Sequence, residues 1–171
     1  IQALHSHFDF KNLKIQDAKK RFQISDFSGN LLWKKLDTGF ELSMDKVNLN
    51  LNHHILRDDK FLMTYQADWQ NYHYYLKEIS LPLVYEFKPY IPKALLKKMP
   101  IFPDGDLSDI QANQKNGQWD YLLFAFNRLS WPATPKLFGV QGLSGMFSFD
   151  PERSQVQISS QNLHIQPNSL P

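Results

Sequence analysis

The chain lacks cysteine, a long apolar run and any strong net charge. Without cysteine there is no disulfide framework, thiolate nucleophile or thiolate metal site. The net charge is +2, and lysine and arginine are interleaved with aspartate and glutamate, so nucleic acid is not an expected partner. No apolar run approaches the length that crosses a bilayer, so this segment is predicted to be soluble, with any membrane anchor outside it.

Aromatic residues, by contrast, are abundant: they make up 14% of the chain, and Phe alone occurs 13 times. Apolar and polar residues alternate in many segments, for example from Phe40 to Met44 and from Phe61 to Trp69, which predicts long half-buried strands. The strand from Phe40 to Leu51 would extend roughly 40 Å. Short turn signals separate the strands and predict an antiparallel meander. These signals are 37–39, 57–60, 116–117 and 150–153.

An internal repeat runs through the chain. Residues 8–49 fall without a gap on residues 124–165, a shift of 116 positions that preserves the apolar pattern and a Ser-Gly pair. Such a repeat predicts a modular array. The units are predicted as residues 1–118, a complete first unit, and residues 119–171, the truncated start of a second. The second unit stops before its helix and further strands, so the chain is expected to be a piece of a longer protein.

Within the long strands the alternation is interrupted by one extra residue. Successive apolar positions are there three residues apart and not two, from Phe10 to Leu13 and from Met44 to Val47. The same steps occur from 24 to 27, and in the second copy from 126 to 129, from 140 to 143 and from 160 to 163. Each slip predicts a β-bulge, and bulges at one level in adjacent strands would fold the sheet into a trough with a crease. The alternative is a sandwich whose bulges only help it to curve around its own core.

One short amphipathic helix is predicted at about residues 89–99, between Pro89 and Pro100. Ile91, Leu95 and Met99 share its apolar face, so the helix is expected to dock on the sheet and cap one end of the trough. The alternative interpretation, which we favour less than docking on the sheet, is that its lysines contact anionic lipid headgroups.

Signals for chemistry are weak. His5 and His7 share a strand face at a spacing that metal sites use, but no third ligand is near in sequence, and no metal site is predicted. Ser28-Gly29 and its copy Ser144-Gly145 lack a nucleophile-elbow motif, and glycine within a strand more often marks a bulge or a close backbone approach. A glycosidase pair would have to come from scattered carboxylates. The candidates are Glu41, Glu78, Glu86 and Glu152. We therefore expect no enzyme and no cofactor.

Several motifs resemble the AsmA-like bridge proteins of Gram-negative envelopes, which include TamB and YhdP, with YhdP the nearest likeness. They are Phe27–Trp33 followed by Gly39–Ser43, the copy at Gly142–Phe149, and Tyr90–Leu96 leading into Pro103–Ile110. The resemblance covers nearly the whole chain. In the helix motif Ile91 replaces the usual leucine, and the family's N-terminal membrane helix is not part of this sequence.

The resemblance implies a mainly β fold, a long, bent antiparallel sheet that forms a U-shaped trough (a β-taco). It also implies a periplasmic segment of a protein anchored in the inner membrane, with phospholipid acyl chains sliding along a hydrophobic groove. Neighbouring repeats of the same chain and other membrane or envelope proteins would be further partners. The predicted groove residues are Phe8, Phe10, Phe22, Ile24, Leu31, Trp33, Phe40, Leu42, Phe124, Phe126, Phe138, Val140, Phe147, Phe149, Val156 and Ile158.

Two other functions stay open at this point. The first is an envelope assembly scaffold whose open sheet edges accept strands of protein partners, without lipid transport. The second is a carbohydrate-active enzyme on a curved sheet, which would need two convergent carboxylates.

Overall fold

The computed structural model describes residues 5–16, 23–52, 54–90 and 101–167. Ten strands and one short α-helix make up most of these residues. The strands are β1 His5–Gln16, β2 Gln23–Leu36, β3 Gly39–Leu51, β4 His54–Gln66, β5 Asn71–Ser80, β6 Asp104–Lys115, β7 Gln118–Trp131, β8 Gly139–Phe149, β9 Ser154–Ile158 and β10 His164–Gln166. The helix α1 spans Leu81–Tyr85, and 3₁₀ turns cover Ala67–Trp69 and Lys88–Tyr90.

All ten strands belong to one antiparallel sheet, in which β1 to β8 lie side by side in chain order. At the far edge, β9 and β10 follow one another along β8, with β9 pairing Gly145–Phe149 and β10 pairing Gly139–Gln141. The sheet is open and not closed into a barrel. The predicted fold class is therefore confirmed: a mainly β chain with an antiparallel open sheet and a short helix.

Three of the four predicted turns connect strands. The β2–β3 turn lies at 37–38, the β6–β7 turn at 116–117 and the β8–β9 turn at 150–153. The prediction for 57–60 is wrong, because these charged residues lie inside β4, where Asp58 has a left-handed φ of 51°. The strand predicted from Phe61 to Trp69 also ends early, at Gln66, because a 3₁₀ turn follows it.

The predicted bulges are present in the first three strands and in β7 and β8. Pairing shifts between Phe10 and Leu13, between Met44 and Val47, and between Phe126 and Leu129, and it also shifts beside Ile24 and Val140. The residues with positive φ in strands are Asn12, Lys46, Asp58, Gly105, Asp109, Arg128 and Gly142. An extra residue bends its strand, so bulges in adjacent strands fold the sheet along one line, which we call the crease.

The internal repeat reappears in the strand pairing. Phe8 opposes Leu31 and Phe10 opposes Gly29, and the residues 116 positions later form the corresponding pairs in β7 and β8. The third strand departs from the ungapped alignment. Val156 opposes Phe147 and so corresponds to Met44, not to Phe40 as the alignment predicts, because the second hairpin turns at a different point. The bulge predicted between 160 and 163 is wrong as well, since the strand is interrupted between β9 and β10. The unit boundary at 118/119 stays a prediction.

The helix α1 continues directly from β5 and contacts β4, β5 and β6. Its Leu83 is 2% exposed, and Glu86, just after α1, accepts a hydrogen bond from Asn52 and lies 3.4 Å from His54 Nε2. The α1 segment is thereby fastened to the β3–β4 turn. Most of the helix predicted at 89–99 lies outside the described residues. Among the described residues, no helix is long and apolar enough to cross a membrane.

Candidate functional site: the apolar face of the sheet

One face of the sheet carries apolar side chains in register from strand to strand. Residues directly opposite each other in adjacent strands project from the same face. The first row runs without a break through β2 to β8. It consists of Trp33, Leu42, Met63, Tyr74, Ala112, Leu122 and Phe149. This side of the sheet is called the apolar face below.

A second row lies two residues nearer the crease and crosses the sheet from β1 to β9. It consists of Phe8, Leu31, Met44, Phe61, Leu76, Ile110, Phe124, Phe147 and Val156. The rings of Phe124 and Phe147 stack with centroids 5.0 Å apart. Most members are half-buried, whereas Phe8 at one edge is 57% exposed and Val156 at the other is 61% exposed. Neighbouring strands of the same sheet therefore supply most of the cover on this face.

At the crease, a phenylalanine lies over a glycine in each copy of the repeat. The Phe10 Cζ atom is 3.2 Å from the point where a Cβ of Gly29 would lie, and Phe126 Cζ is 2.7 Å from that point at Gly145. Phe126 is only 4% exposed, and Phe10 also contacts Phe27 at a centroid distance of 4.7 Å. The repeated Ser-Gly pair thus marks a close approach of an aromatic ring to the backbone, as glycine within a strand predicts.

The serine of this pair also has a structural partner. Ser144 Oγ accepts a hydrogen bond from the backbone N–H of Arg128, the bulged residue of β7, at 2.9 Å. A bulge removes a backbone donor from the ladder, and a hydroxyl on the next strand satisfies it here.

One carboxylate is buried beside the crease. Asp59 is 2% exposed, and its Oδ1 accepts hydrogen bonds from the backbone N–H groups of Lys60 (2.7 Å) and Glu78 (3.1 Å). The last pair of residues between β4 and β5 is Phe61 and Leu76, two residues from Asp59 and Glu78. Beyond that pair the carboxylate accepts backbone hydrogen bonds in place of the ladder. Burial raises the pKa of Asp59, and Oδ2 has no hydrogen-bond partner among the described residues.

The open end of the apolar face, beside the β2–β3, β4–β5 and β6–β7 turns, is aromatic. Centroid distances are 5.5 Å for Phe40 and Tyr65, 4.6 Å for Tyr65 and Tyr72, 6.1 Å for Tyr72 and Tyr74, and 6.4 Å for Tyr74 and Trp119. We call these five residues the aromatic rim. The side chains of the apolar face thus change from aliphatic and phenyl groups near the crease to tyrosine and tryptophan at the turns.

The opposite face is mixed in character. Lys60 Nζ lies 3.6 Å from Asp45 there, and Glu41 is opposite Lys34 and Thr64. Apolar side chains are also present on this face, at Leu32, Leu62, Tyr75 and Leu123. A cleft of about 750 Å³ beside the β7–β8 bulge is lined by polar side chains, among them Arg128, which contacts Asp106 at 3.1 Å. The larger continuous apolar surface is therefore the face described above.

The register places twelve of the predicted groove residues on the apolar face between the rim and the crease. They are Phe8, Phe10, Leu31, Trp33, Phe40, Leu42, Phe124, Phe126, Phe147, Phe149, Val156 and Ile158. Ile24 and Val140 lie beyond the crease, where Ile24 opposes Ile15 and Leu51. Phe138 precedes β8 in a loop and is 48% exposed, while Phe22 lies outside the described residues. That these residues bind lipid stays a prediction.

Sequence reasoning missed Met44 of the first copy and the part of the face between the two copies. The missed residues are Met44, Phe61, Met63, Tyr65, Tyr72, Tyr74, Leu76, Ile110, Ala112, Trp119 and Leu122. The alternation from 61 to 65 and from 72 to 76 predicts most of them, whereas the predicted groove residues come only from duplicated positions.

The candidate catalytic and metal-binding residues are spread over the sheet. Glu41 lies near the β2–β3 turn, whereas Glu86 lies at the other end of the strands, beside the β3–β4 turn. His7 Nε2 is 3.3 Å from Asp9, in an exposed pair. In the described ranges no group of three or more His, Cys, Asp or Glu side chains is arranged to hold a metal ion.

Comparison with known proteins adds a family assignment. The family model described as YhdP protein matches residues 1–170. The chain belongs to the YhdP family. No curated protein and no solved structure gives a significant match.

The motifs that carry the YhdP likeness lie on the strands of the repeated unit. Phe27–Trp33 is the middle of β2, Gly39–Ser43 opens β3, and Gly142–Phe149 forms most of β8. These segments supply the crease glycines and part of both apolar rows. Membership of the YhdP family agrees with a lipid-transport-related protein of the cell envelope.

Proposed function

We propose that this chain is a segment of a periplasm-spanning, bridge-like protein that carries phospholipids between the inner and the outer membrane. The acyl chains lie on the apolar face and the headgroups stay in solvent. The segment acts as a passive surface, without catalysis and without a cofactor.

The unbroken first row, which crosses seven strands in register, carries this proposal. Each CH₂ group that leaves water contributes about 0.8 kcal/mol, so a continuous apolar surface holds an acyl chain without a specific contact. Because the row runs across the strands, a lipid can move from one strand to the next and keep the same kind of surface beneath it.

The length of the apolar face between the rim and the crease fits an acyl chain. From Phe40 at the rim to Val47 at the crease, β3 extends about 23 Å at the rise of a strand. One leaflet contributes about 15 Å to the hydrocarbon core of a bilayer, which is about 30 Å thick. A chain that enters at the rim therefore reaches its full length before it meets the far side of the crease.

Neighbouring repeats are the proposed partners at both edges of the sheet. Val156 on β9 is 61% exposed, whereas Met44, its counterpart in pairing, is half-buried between β2 and β4. A further strand beside β9 would cover Val156 as β4 covers Met44, and would extend both rows. The location in the periplasm, the anchor in the inner membrane and contacts with other envelope proteins are part of the proposal and are supported by the resemblance to the bridge proteins.

The test is to purify the protein without detergent, extract it with organic solvent and measure bound phospholipid by mass spectrometry. Phe147→Glu places a charge on the apolar face, and Met146→Glu places the same charge on the opposite face one residue away. We expect stoichiometric phospholipid in the parent protein and in Met146→Glu, and little in Phe147→Glu. A folded, lipid-free parent protein would contradict the proposal.

The open edges of the sheet support a second candidate, a scaffold that binds extended segments of envelope proteins. The outer edge of β1 faces no other described strand, and exposed edges accept strands from other chains. In that case proline substitutions in β1 would abolish partner binding, whereas Phe147→Glu in an interior strand would leave it intact.

A further inference from the structure

The aromatic rim differs in chemistry from the rest of the apolar face. Tyr65 and Tyr72 lie two residues nearer the turns than the first row and Tyr74 lies in that row, whereas the second row carries phenylalanine and leucine on the same two strands. Tyrosine and tryptophan have an apolar body and a polar tip, and they are enriched where a hydrocarbon region meets water. The rim therefore has the composition of a boundary between an apolar and a polar environment.

The hydroxyl groups of these three tyrosines are uncommitted among the described residues, since none of them hydrogen-bonds to another described residue. Tyrosines elsewhere are engaged: Tyr75 donates to Asp109, Tyr85 to the Pro103 carbonyl, and Tyr121 pairs with His73. The rim thus keeps three phenolic groups available to a ligand on the apolar face.

Charged side chains lie at the same level and just outside it. Lys35 is exposed and opposes Phe40, so it lies on the apolar face, whereas Lys115 opposes Asn71 and Gln118 and projects from the opposite face. Asp37 and Asp68 lie farther out, in the turns themselves. A cation at the level of the rim, Lys35, with carboxylates farther out complements a zwitterionic headgroup, whose phosphate is next to the glycerol and whose ammonium is outermost.

We propose that the aromatic rim binds the phosphate and ester region of a glycerophospholipid and so sets the depth and direction of the lipid. The three tyrosine hydroxyls donate to phosphate or ester oxygens, and the acyl chains run from the rim toward Phe8, Phe61 and the crease. This inference rests on the proposed lipid function and adds an orientation and a headgroup-level site to it.

The test measures depth by tryptophan quenching. One variant keeps only Trp119, at the rim. A second replaces all native tryptophans by phenylalanine and carries Phe8→Trp, whose position in the second row is 57% exposed and has room for the larger ring. Each protein is loaded from phosphatidylcholine vesicles that contain a lipid with a nitroxide on either the headgroup or the middle of the acyl chain. The vesicles are then removed by size exclusion.

We expect the headgroup nitroxide to quench Trp119 more strongly than the tryptophan introduced at position 8, and the chain nitroxide to do the opposite. In addition, Tyr65→Phe, Tyr72→Phe and Tyr74→Phe combined should lower phosphatidylcholine affinity at least about tenfold, the lower bound for the loss of three ordinary hydrogen bonds. The matched control, Tyr75→Phe with Tyr121→Phe on the opposite face, should leave affinity unchanged.

The outcomes separate the two proposals. Absence of bound lipid from every folded variant, the parent protein included, would overturn the lipid function itself. Bound lipid with equal or reversed quenching at the two positions, or with unchanged affinity in the triple tyrosine variant, would overturn the rim site and leave the lipid function standing.

Discussion

Alanine at Gly145 and alanine at Gly29 should differ in their effect on stability, although the two glycines are equivalent in the repeat. A Cβ at Gly145 would collide with the Gln157 carbonyl oxygen and would lie 2.7 Å from Phe126 Cζ. Real Cβ atoms do not approach so closely, so β9 has to shift and the nearly buried Phe126 ring has to move. Overpacking of this kind costs about 1–3 kcal/mol, and we expect Gly145→Ala to lie near the upper end.

At Gly29 the nearest atoms would be Phe10 Cζ at 3.2 Å and the Asp45 carbonyl oxygen at 3.3 Å. Displacements of a few tenths of an ångström relieve these contacts, and the loss of glycine entropy in the unfolded chain offsets part of the cost by about 0.4–1 kcal/mol. Gly29→Ala should therefore change stability by less than about 1 kcal/mol.

The assay is urea unfolding of both variants, followed by circular dichroism, with the midpoint and the slope compared with the parent protein. Gly145→Ala should show the lower midpoint by a wide margin. Equal midpoints would refute the argument that the phenylalanine over the glycine and the tight β8–β9 approach limit the size of this residue.

Three further predictions concern single side chains. Phe126→Ala should cost about 3–5 kcal/mol in urea unfolding because the ring is 4% exposed, whereas Phe10→Ala, on an edge strand, should cost clearly less. Asp59→Asn should stabilise the protein at neutral pH, since burial raises the pKa of Asp59 above 3.8, and the gain should disappear in thermal melts below that pH. Tyr85→Phe should cost about 1 kcal/mol of unfolding free energy by removing the 2.6 Å bond to the Pro103 carbonyl.

A carboxyl group whose pKa is raised by folding contributes most below its unfolded pKa, and this contribution is lost as the pH rises through the folded pKa. Asparagine removes that dependence and keeps an oxygen acceptor for both backbone N–H groups; a loss of stability in Asp59→Asn at neutral pH would contradict the account.

Burial and the charge of Asp104 raise the pKa of Tyr85 to about 12. Its contribution should therefore be present below pH 10 and disappear toward pH 12, and a parent protein equally stable at both pH values would argue against it.

Strands and bulges could be predicted from the sequence because each depends on the local spacing of apolar residues. The step from Phe10 to Leu13, for instance, keeps the apolar side chains on one face only if one residue is extra, and pairing shifts at that point. The apolar rows follow from the same alternation, which is why most predicted groove residues share a face.

Other features depend on contacts that the sequence does not display. Val156 matches Met44 because the second hairpin turns at a different point. This change in turn position shifts the register, but each side chain stays on the same face of the sheet. The charged residues 57–60 have the composition of a turn, yet the left-handed Asp58 forms a bulge because Asp59 satisfies the neighbouring backbone donors. The free tyrosine hydroxyls of the rim can be identified only in the structure, because the sequence does not show which tyrosines form hydrogen bonds.

The central claim is that lipid lies on the apolar face, and photo-crosslinking tests it most directly. The protein is loaded with a phospholipid that carries a diazirine in its acyl chain, irradiated, digested and analysed by mass spectrometry. The account predicts adducts on the two apolar rows, for example on Phe61, Met63 and Phe147. Adducts confined to Leu32, Leu62 and Leu123 on the opposite face, or none in a folded protein, would contradict it.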